Sequence, residues 1–269
     1  MVNGEAIHAF IDTTATNVAK FIEPFIVDIE NRYVWEFKIE TAQVLLNFDF
    51  SCFPNAYQRT IHLKSMLSKK ILARNDFESS FIYGEYFVKD WGGVKTNKKL
   101  QAKLEPFFQW RGCSIDAYKL PRTLEGVSSW SKYLSLLCDD AAIYDSRVAY
   151  AINTINYLSK NCSLFFPMPD SRSPRLNVVD IETLFILGHI SNEESFITDE
   201  DLAHRQVSSR LKKKYYLPEA QTYALYLKLL QKITKILNLK SGEHFKIEIL
   251  LFALAPNEIF KNLITKLKN

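Results

Sequence analysis

Apolar residues along this chain recur three and four residues apart, and nowhere do they alternate over a length that would build a useful strand. Helices are legible in "RTIHLKSMLSKKILA", with a basic outer face, and in the aromatic-rich "DFESSFIYGEYFVKDW", which Gly92 and Gly93 stop. They are legible again in "WSKYLSLLC", in "PEAQTYALYLKLLQKITKILN" with Pro218 near its first turn, and in "FKIEILLFALA" and "PNEIFKNLITKLK" at the end. Residues from about Asn17 to Leu46 read as helices interrupted near Pro24, and Thr96 reads as an N-cap. With 8 glycines and 9 prolines in 269 residues, a turn-rich β architecture is disfavoured, and the expected fold class is all-α.

Three of those prolines fall in "NCSLFFPMPDSRSPRLN", the best boundary or functional loop in the chain. It divides a helical region over residues 1–160 from a second over 161–269, the two packing into one fold. The balance of 34 basic against 30 acidic residues leaves a net charge of +4, which permits a nucleic-acid partner without requiring one. Cys52, Cys113, Cys138 and Cys162 make no C-x-x-C pair and read as free thiols of a reducing cytoplasm. The five histidines are scattered, so neither a metal site nor a cofactor is expected. "MVNGEAIHAFIDTT" lacks the pattern of a signal peptide, and no apolar run approaches the ~20 residues that span a bilayer. A cytoplasmic monomer without a membrane partner is the expectation.

The chemistry-bearing stretch is "AAIYDSRVAYAIN". Val148, Ala149, Ile152 and Ile155 form an inward stripe, and Asp145 stands at its mouth, where a carboxylate caps the free N–H groups of a first turn. The same placement aims Asp145 along the buried face. Upstream, "LEGVSSWSK" puts a Gly-Val turn before a short helix that carries Lys132 near its start.

This order of a leucine, a Gly-Val hairpin, a lysine and then an aspartate opening the next helix resembles the helix–hairpin–helix DNA glycosylases. "SSWSK", "IYDSRVA" and the late "KIEILLFALA" are most similar to bacterial proteins with an 8-oxoguanine-glycosylase-like fold. The motif-bearing part spans residues 92–158. Glu125 stands where the hairpin proline is usual, Ser128 replaces its second glycine, and Lys132 and Asp145 are 13 positions apart, closer than the family pattern.

The resemblance implies a helical glycosylase-like bundle without the N-terminal β-domain. Its partner would be DNA carrying a modified or damaged base, which is flipped out and cut at its N-glycosidic bond, in repair or in defence against modified viral DNA. Asp145 would then steady positive charge developing at C1′. Lys132 would attack C1′ as a free amine and give an associated lyase activity, unless a water guided by Asp145 does so instead. Backbone N–H groups of Gly126, Val127, Ser128 and Ser129, with Arg147, would hold the DNA. Lys95, Lys98, Lys99 and Lys103 share a helix side and could follow the phosphates, as could "RLKKKYY". Trp91, Trp130, Phe107 and Phe108 are the candidates for a base-stacking pocket, with Phe165 and Phe166 behind them. The competing expectation is a non-catalytic DNA- or protein-binding helical domain on the same scaffold.

Overall fold

A computed structural model describes residues 3–94, 99–116, 119–169, 176, 178–190 and 214–269. Among them the chain is all-helical; its β contact is an isolated bridge between Phe165 and Tyr216. The helices are α1 (Gly4–Ile22), α2 (Ile29–Arg32), α3 (Ile39–Leu46), α4 (Ala56–Leu72), α5 (Phe77–Tyr86), α6 (Leu100–Leu104), α7 (Val127–Leu137), α8 (Ser146–Leu158), α9 (Ile181–Ile190), α10 (Glu219–Ile236), α11 (His244–Leu254) and α12 (Phe260–Lys268). No helix among the described residues is long and apolar enough to cross a membrane. All four cysteines are free.

α1 starts at Gly4, well before the Asn17 expected from sequence. Asn3 caps it by accepting from the Glu5 N–H at 3.1 Å, and Ile7, Phe10, Ile11, Val18 and Ile22 then make the buried stripe. Pro24, which has no N–H to give, converts the helix into a 3-10 turn over Glu23–Asp28. α1 packs lengthwise on α10 near the other end of the sequence. Lys232 pairs with Asp12 at that contact, and Lys228 Nζ meets His8 Nδ1 at 3.1 Å.

α8 runs through the middle. Every residue from Val148 to Asn156 is buried, which fits a helix enclosed by α1, α9, α11 and α12. Its two buried asparagines have partners: Asn156 donates to Thr14 Oγ1 on α1, and Asn153 exchanges two bonds with the Phe166 backbone. α7 is equally enclosed, against α4, α6 and the turns Phe87–Trp91 and Glu105–Trp110. Gly126 begins it at φ 67°, a left-handed position that suits glycine. The segment before it, from 120 to 125, is not helical, so the turn is not flanked by two regular helices.

Candidate active site

The short extended run 141–144 links α7 to α8 and is buried throughout. A buried strand without a sheet must find other partners for its backbone. Here side chains supply them. Ala142 and Ile143 carbonyls accept from the Tyr223 and Tyr226 hydroxyls, each at 2.9 Å, and the Ala141 carbonyl lies 3.1 Å from His244 Nε2. The Ile143 N–H donates to Glu248 Oε2 at 2.7 Å, and the Tyr144 N–H donates to Ser131 Oγ at 3.1 Å. Tyr144 closes the other side by donating its hydroxyl to the Pro167 carbonyl at 2.7 Å. α10 and α11 therefore hold this run in place, and it delivers Asp145.

Asp145 is a true N-cap: Oδ1 accepts from the N–H groups of Arg147 and Val148 at 3.0 and 3.1 Å. Its second oxygen has no hydrogen-bond partner among the described residues. The side chain is half-buried and lines a cleft of about 1500 Å³. Capping thus occupies one oxygen and leaves the carboxylate open on the cavity side.

Lys132 lines the same cleft. It sits in the second turn of α7, not the first, because the helix begins at Val127. Burial, rather than the helix dipole, therefore acts on its amine. The residue is 5% exposed, and Nζ donates to the Ser128 carbonyl at 2.7 Å. Burial lowers the pKa of its ammonium, against the pull of Asp145 and Glu248. Gly92 makes room for the stem: a Cβ there would lie 2.8 Å from Cδ and Cε of Lys132 and 2.7 Å from the Val88 carbonyl. The "GG" that stops the aromatic helix is thus also the space into which the lysine folds.

Arg147 points back over the cleft wall. Its guanidinium lies 4.5 Å from the Phe252 ring centre and 5.2 Å from that of Trp35, and those rings meet edge to face at 5.4 Å. Trp35 donates its indole N–H to the Trp91 carbonyl at 2.9 Å. Trp91 stacks on Phe87 at 4.2 Å and lines the cleft as expected.

Three other aromatic expectations are corrected. Trp130 and Phe107 stack on each other at 5.3 Å, Trp130 meets Tyr223 edge-on, and Phe108 packs against Phe77. All three are buried in the core and none lines the cleft. The same core takes Phe165 and Phe166, while the following Pro167, Met168 and Pro169 reach the cleft edge.

The hairpin is also less available than its sequence suggests. The Val127 and Ser129 N–H groups are already bonded within the turn, to the Leu124 and Gly126 carbonyls, and both residues are buried. Gly126 and Ser128 alone of the four keep partial exposure. At the tip, Glu125 pairs with Lys103 at 3.3 Å. Lys99 is exposed at the start of α6 and does not line the cleft. Lys95, Thr96 and Lys98, and residues 210–213 of "RLKKKYY", lie outside the described residues; its Lys214 is exposed, with Nζ 4.9 Å from the Tyr215 ring centre.

Two residues that the sequence reading passed over complete the site. Glu248 on α11 is 6% exposed, and burial pushes its pKa up to about 7 despite Lys64 and the Ile143 N–H. Lys64 on α4 lines the same cleft, although its helix reads as basic on the outer face; burial lowers its pKa as well. Glu248 had a visible signal. "KIEILLFALA" places one acid in a run that is apolar on every side, so the carboxylate has no solvent face to seek. Lys64 had none, since it adjoins Leu63 at the border of an amphipathic stripe.

A buried amine of lowered basicity beside a half-buried carboxylate can support nucleophilic or acid–base chemistry on a flat organic group held against Trp35 and Phe252. Among the described residues no cluster of histidine, cysteine and carboxylate side chains could hold a metal ion. No protein family, curated protein or solved structure matches the chain, so its chemistry rests on these residues alone.

Proposed function

We propose that the chain is a DNA glycosylase that removes a modified or damaged base, with Lys132 and Asp145 as its catalytic residues. The observation that carries this reading is the opening of Lys132 and Asp145, from different helices, on one aromatic-walled cleft, with burial favouring the free amine of Lys132. A base turned out of the duplex would stack where Arg147 now covers Trp35 and Phe252. The Lys132 lone pair then forms a bond to C1′ as the N-glycosidic bond breaks, and the bonding pair leaves with the base. The attached nitrogen then passes a proton to the ring oxygen as the C1′–O4′ bond breaks, giving a protonated Schiff base, and the departed base takes a proton from water. Asp145 remains ionised and steadies the positive charge on the sugar.

The test is incubation with duplexes carrying a panel of modified bases, with and without borohydride. Base release with a covalent protein–DNA adduct that Lys132→Ala abolishes supports the amine route. Release without an adduct assigns the attack to water beside Asp145. No release from any duplex, by a folded protein that binds DNA, removes the glycosylase reading.

A non-catalytic DNA- or protein-binding domain is the second reading, and the cleft charge favours its protein-binding form. Among its described lining residues are five cations (Lys64, Lys69, Lys103, Lys132, Arg147) and six carboxylates (Glu125, Asp139, Asp145, Glu219, Glu243, Glu248). Such a surface attracts a phosphate backbone weakly.

A further inference from the structure

Before a base can stack on the cleft wall, one contact within the protein has to come undone. Trp35 and Phe252 meet edge to face at 89°, with ring centres 5.4 Å apart, and form an open corner on the cleft. Both rings are fixed. Trp35 is tied by its indole N–H to the Trp91 carbonyl at 2.9 Å, and Phe252 stands on α11 with its ring 6.3 Å from that of the buried Tyr33. The Arg147 guanidinium fills the corner, 4.5 Å from the Phe252 ring centre and 5.2 Å from that of Trp35. It is held differently: among the described residues it makes no hydrogen bond and pairs with no carboxylate, so the two rings are its hold. The corner suits a flat group, and the protein fills it with its own. We propose that Arg147 is an internal plug: in the empty protein its guanidinium occupies the seat of a planar heteroaromatic ring, and such a ring binds by displacing it. The plug stands on this geometry; that the ring is an extruded base rests on the proposed function.

When a binding seat is free in a fraction of molecules, every ligand that needs it binds weaker by that fraction. A guanidinium on two half-buried rings weighs about tenfold in this balance. Leaving the corner breaks no hydrogen bond, which keeps the factor moderate. It falls unevenly on two kinds of ligand. A free base or nucleoside meets it at its own dilute concentration and is turned away. A base carried on a bound strand is presented at an effective concentration of about millimolar or more, and fills the seat in spite of it. The plug thus keeps loose rings out of a cleft of about 1500 Å³, wide enough to admit them, and passes a ring that arrives tethered.

Nuclear magnetic resonance of the intact chain tests this without excision, through the Arg147 Nε–H and the Trp35 indole N–H, each identified by its loss in Arg147→Ala or Trp35→Phe. In the empty protein the ring currents of Trp35 and Phe252 should move the Arg147 signal well away from that of an exposed arginine. Adenosine and cytidine, titrated as ring probes, should shift the Trp35 signal and return the Arg147 signal toward the exposed position, with one shared midpoint. Arg147→Ala should bind both nucleosides about tenfold tighter than the wild type does. Arg147→Lys keeps the charge and the stem but not the flat head; it should show several-fold of that gain, which holds the test if the alanine variant misfolds. An exposed-type Arg147 signal in the empty protein, a folded Arg147→Ala that binds no tighter, or nucleosides that leave Trp35 unmoved in both proteins each overturn the proposal. Tighter nucleoside binding by Arg147→Ala, where the wild type excises no base, leaves the plug standing and removes the glycosylase reading. Excision by a wild type whose nucleoside binding ignores Arg147 does the reverse.

Discussion

Replacing Glu248 by glutamine should stabilise the protein in alkali and leave it nearly unchanged in acid. The carboxyl is buried, and its pKa moves from an ordinary 4.5 to about 7. A folded acid with a raised pKa binds its proton more tightly than the unfolded chain does. Its contribution is therefore fully present below 4.5 and is lost as pH rises through about 7. At about 1.4 kcal/mol per tenfold, ionised Glu248 costs the fold about 3 kcal/mol above that range. Glutamine keeps the Ile143 hydrogen bond and never ionises. Urea denaturation at pH 4 and pH 8.5 should thus show a gain near zero at the first and about 3 kcal/mol at the second, or roughly 5–10 °C in Tm. Lys64 and Lys132 titrate in the opposite sense, since a base with a lowered pKa loses stability as pH falls; both lose the support of the Glu248 charge in the variant, which offsets part of the gain at high pH. An equal difference at both pH values would show that the Glu248 carboxyl is solvated and the reasoning wrong.

Asp145→Asn keeps a good N-cap, so Tm should move little, while excision falls by about 10²–10⁴; equal activity would return Asp145 to capping alone. Lys132→Met should abolish adduct formation and, by removing a buried ammonium, raise stability at pH 7 by on the order of 1 kcal/mol. That gain should vanish above the ordinary lysine value of 10.5, where the wild-type side chain is neutral in both states, and denaturation at pH 7 and 11 reads it. Gly92→Ala places a Cβ 2.7 Å from a fixed carbonyl and 2.8 Å from the Lys132 stem; it should cost about 1–3 kcal/mol in thermal denaturation and reduce adduct yield, and a neutral result would mean the turn yields freely. Arg147→Ala removes both ring contacts and should cost about 1–2 kcal/mol, visible in the same assay, unless the guanidinium is already swung away in solution.

The helical class was legible because the apolar period of α4, α5, α8 and α10 is regular and turn formers are few. Asp145 was legible as a cap, and its Oδ1 is one; its half-buried side chain lines the cleft and is not enclosed with the stripe that follows it. Failures came where sequence distance hides contact. "PFFQW" and "SSWSK" look like separate exposed aromatic sites, but Phe107 and Trp130, 23 positions apart, stack face to face and seal the core. Lys132 looks like a first-turn lysine because "EGVSS" suggests a later helix start; the left-handed Gly126 starts α7 earlier. Trp35 and Phe252 lie at opposite ends of the chain, and no periodicity within either segment could have paired them.

The charge arrangement bears on how DNA would be used. A cleft whose described lining carries six carboxylates against five cations gives a phosphate backbone little to hold, and Glu125 at the hairpin tip already pairs with Lys103. A neutral planar base has no such difficulty: it needs ring faces and polar edges, and Trp35, Phe252 and the hydroxyls of Thr60 and Ser65 are on the wall. In the proposed function, grip and chemistry therefore belong to different surfaces. The cleft takes the extruded base, and backbone affinity must come from basic side chains outside it, of which Lys99 at the start of α6 is one. This division also explains why the acids are tolerable. Asp145 would disfavour a phosphate, but in the proposed function it faces a sugar that gains positive charge as its base departs, and there a negative field lowers the barrier.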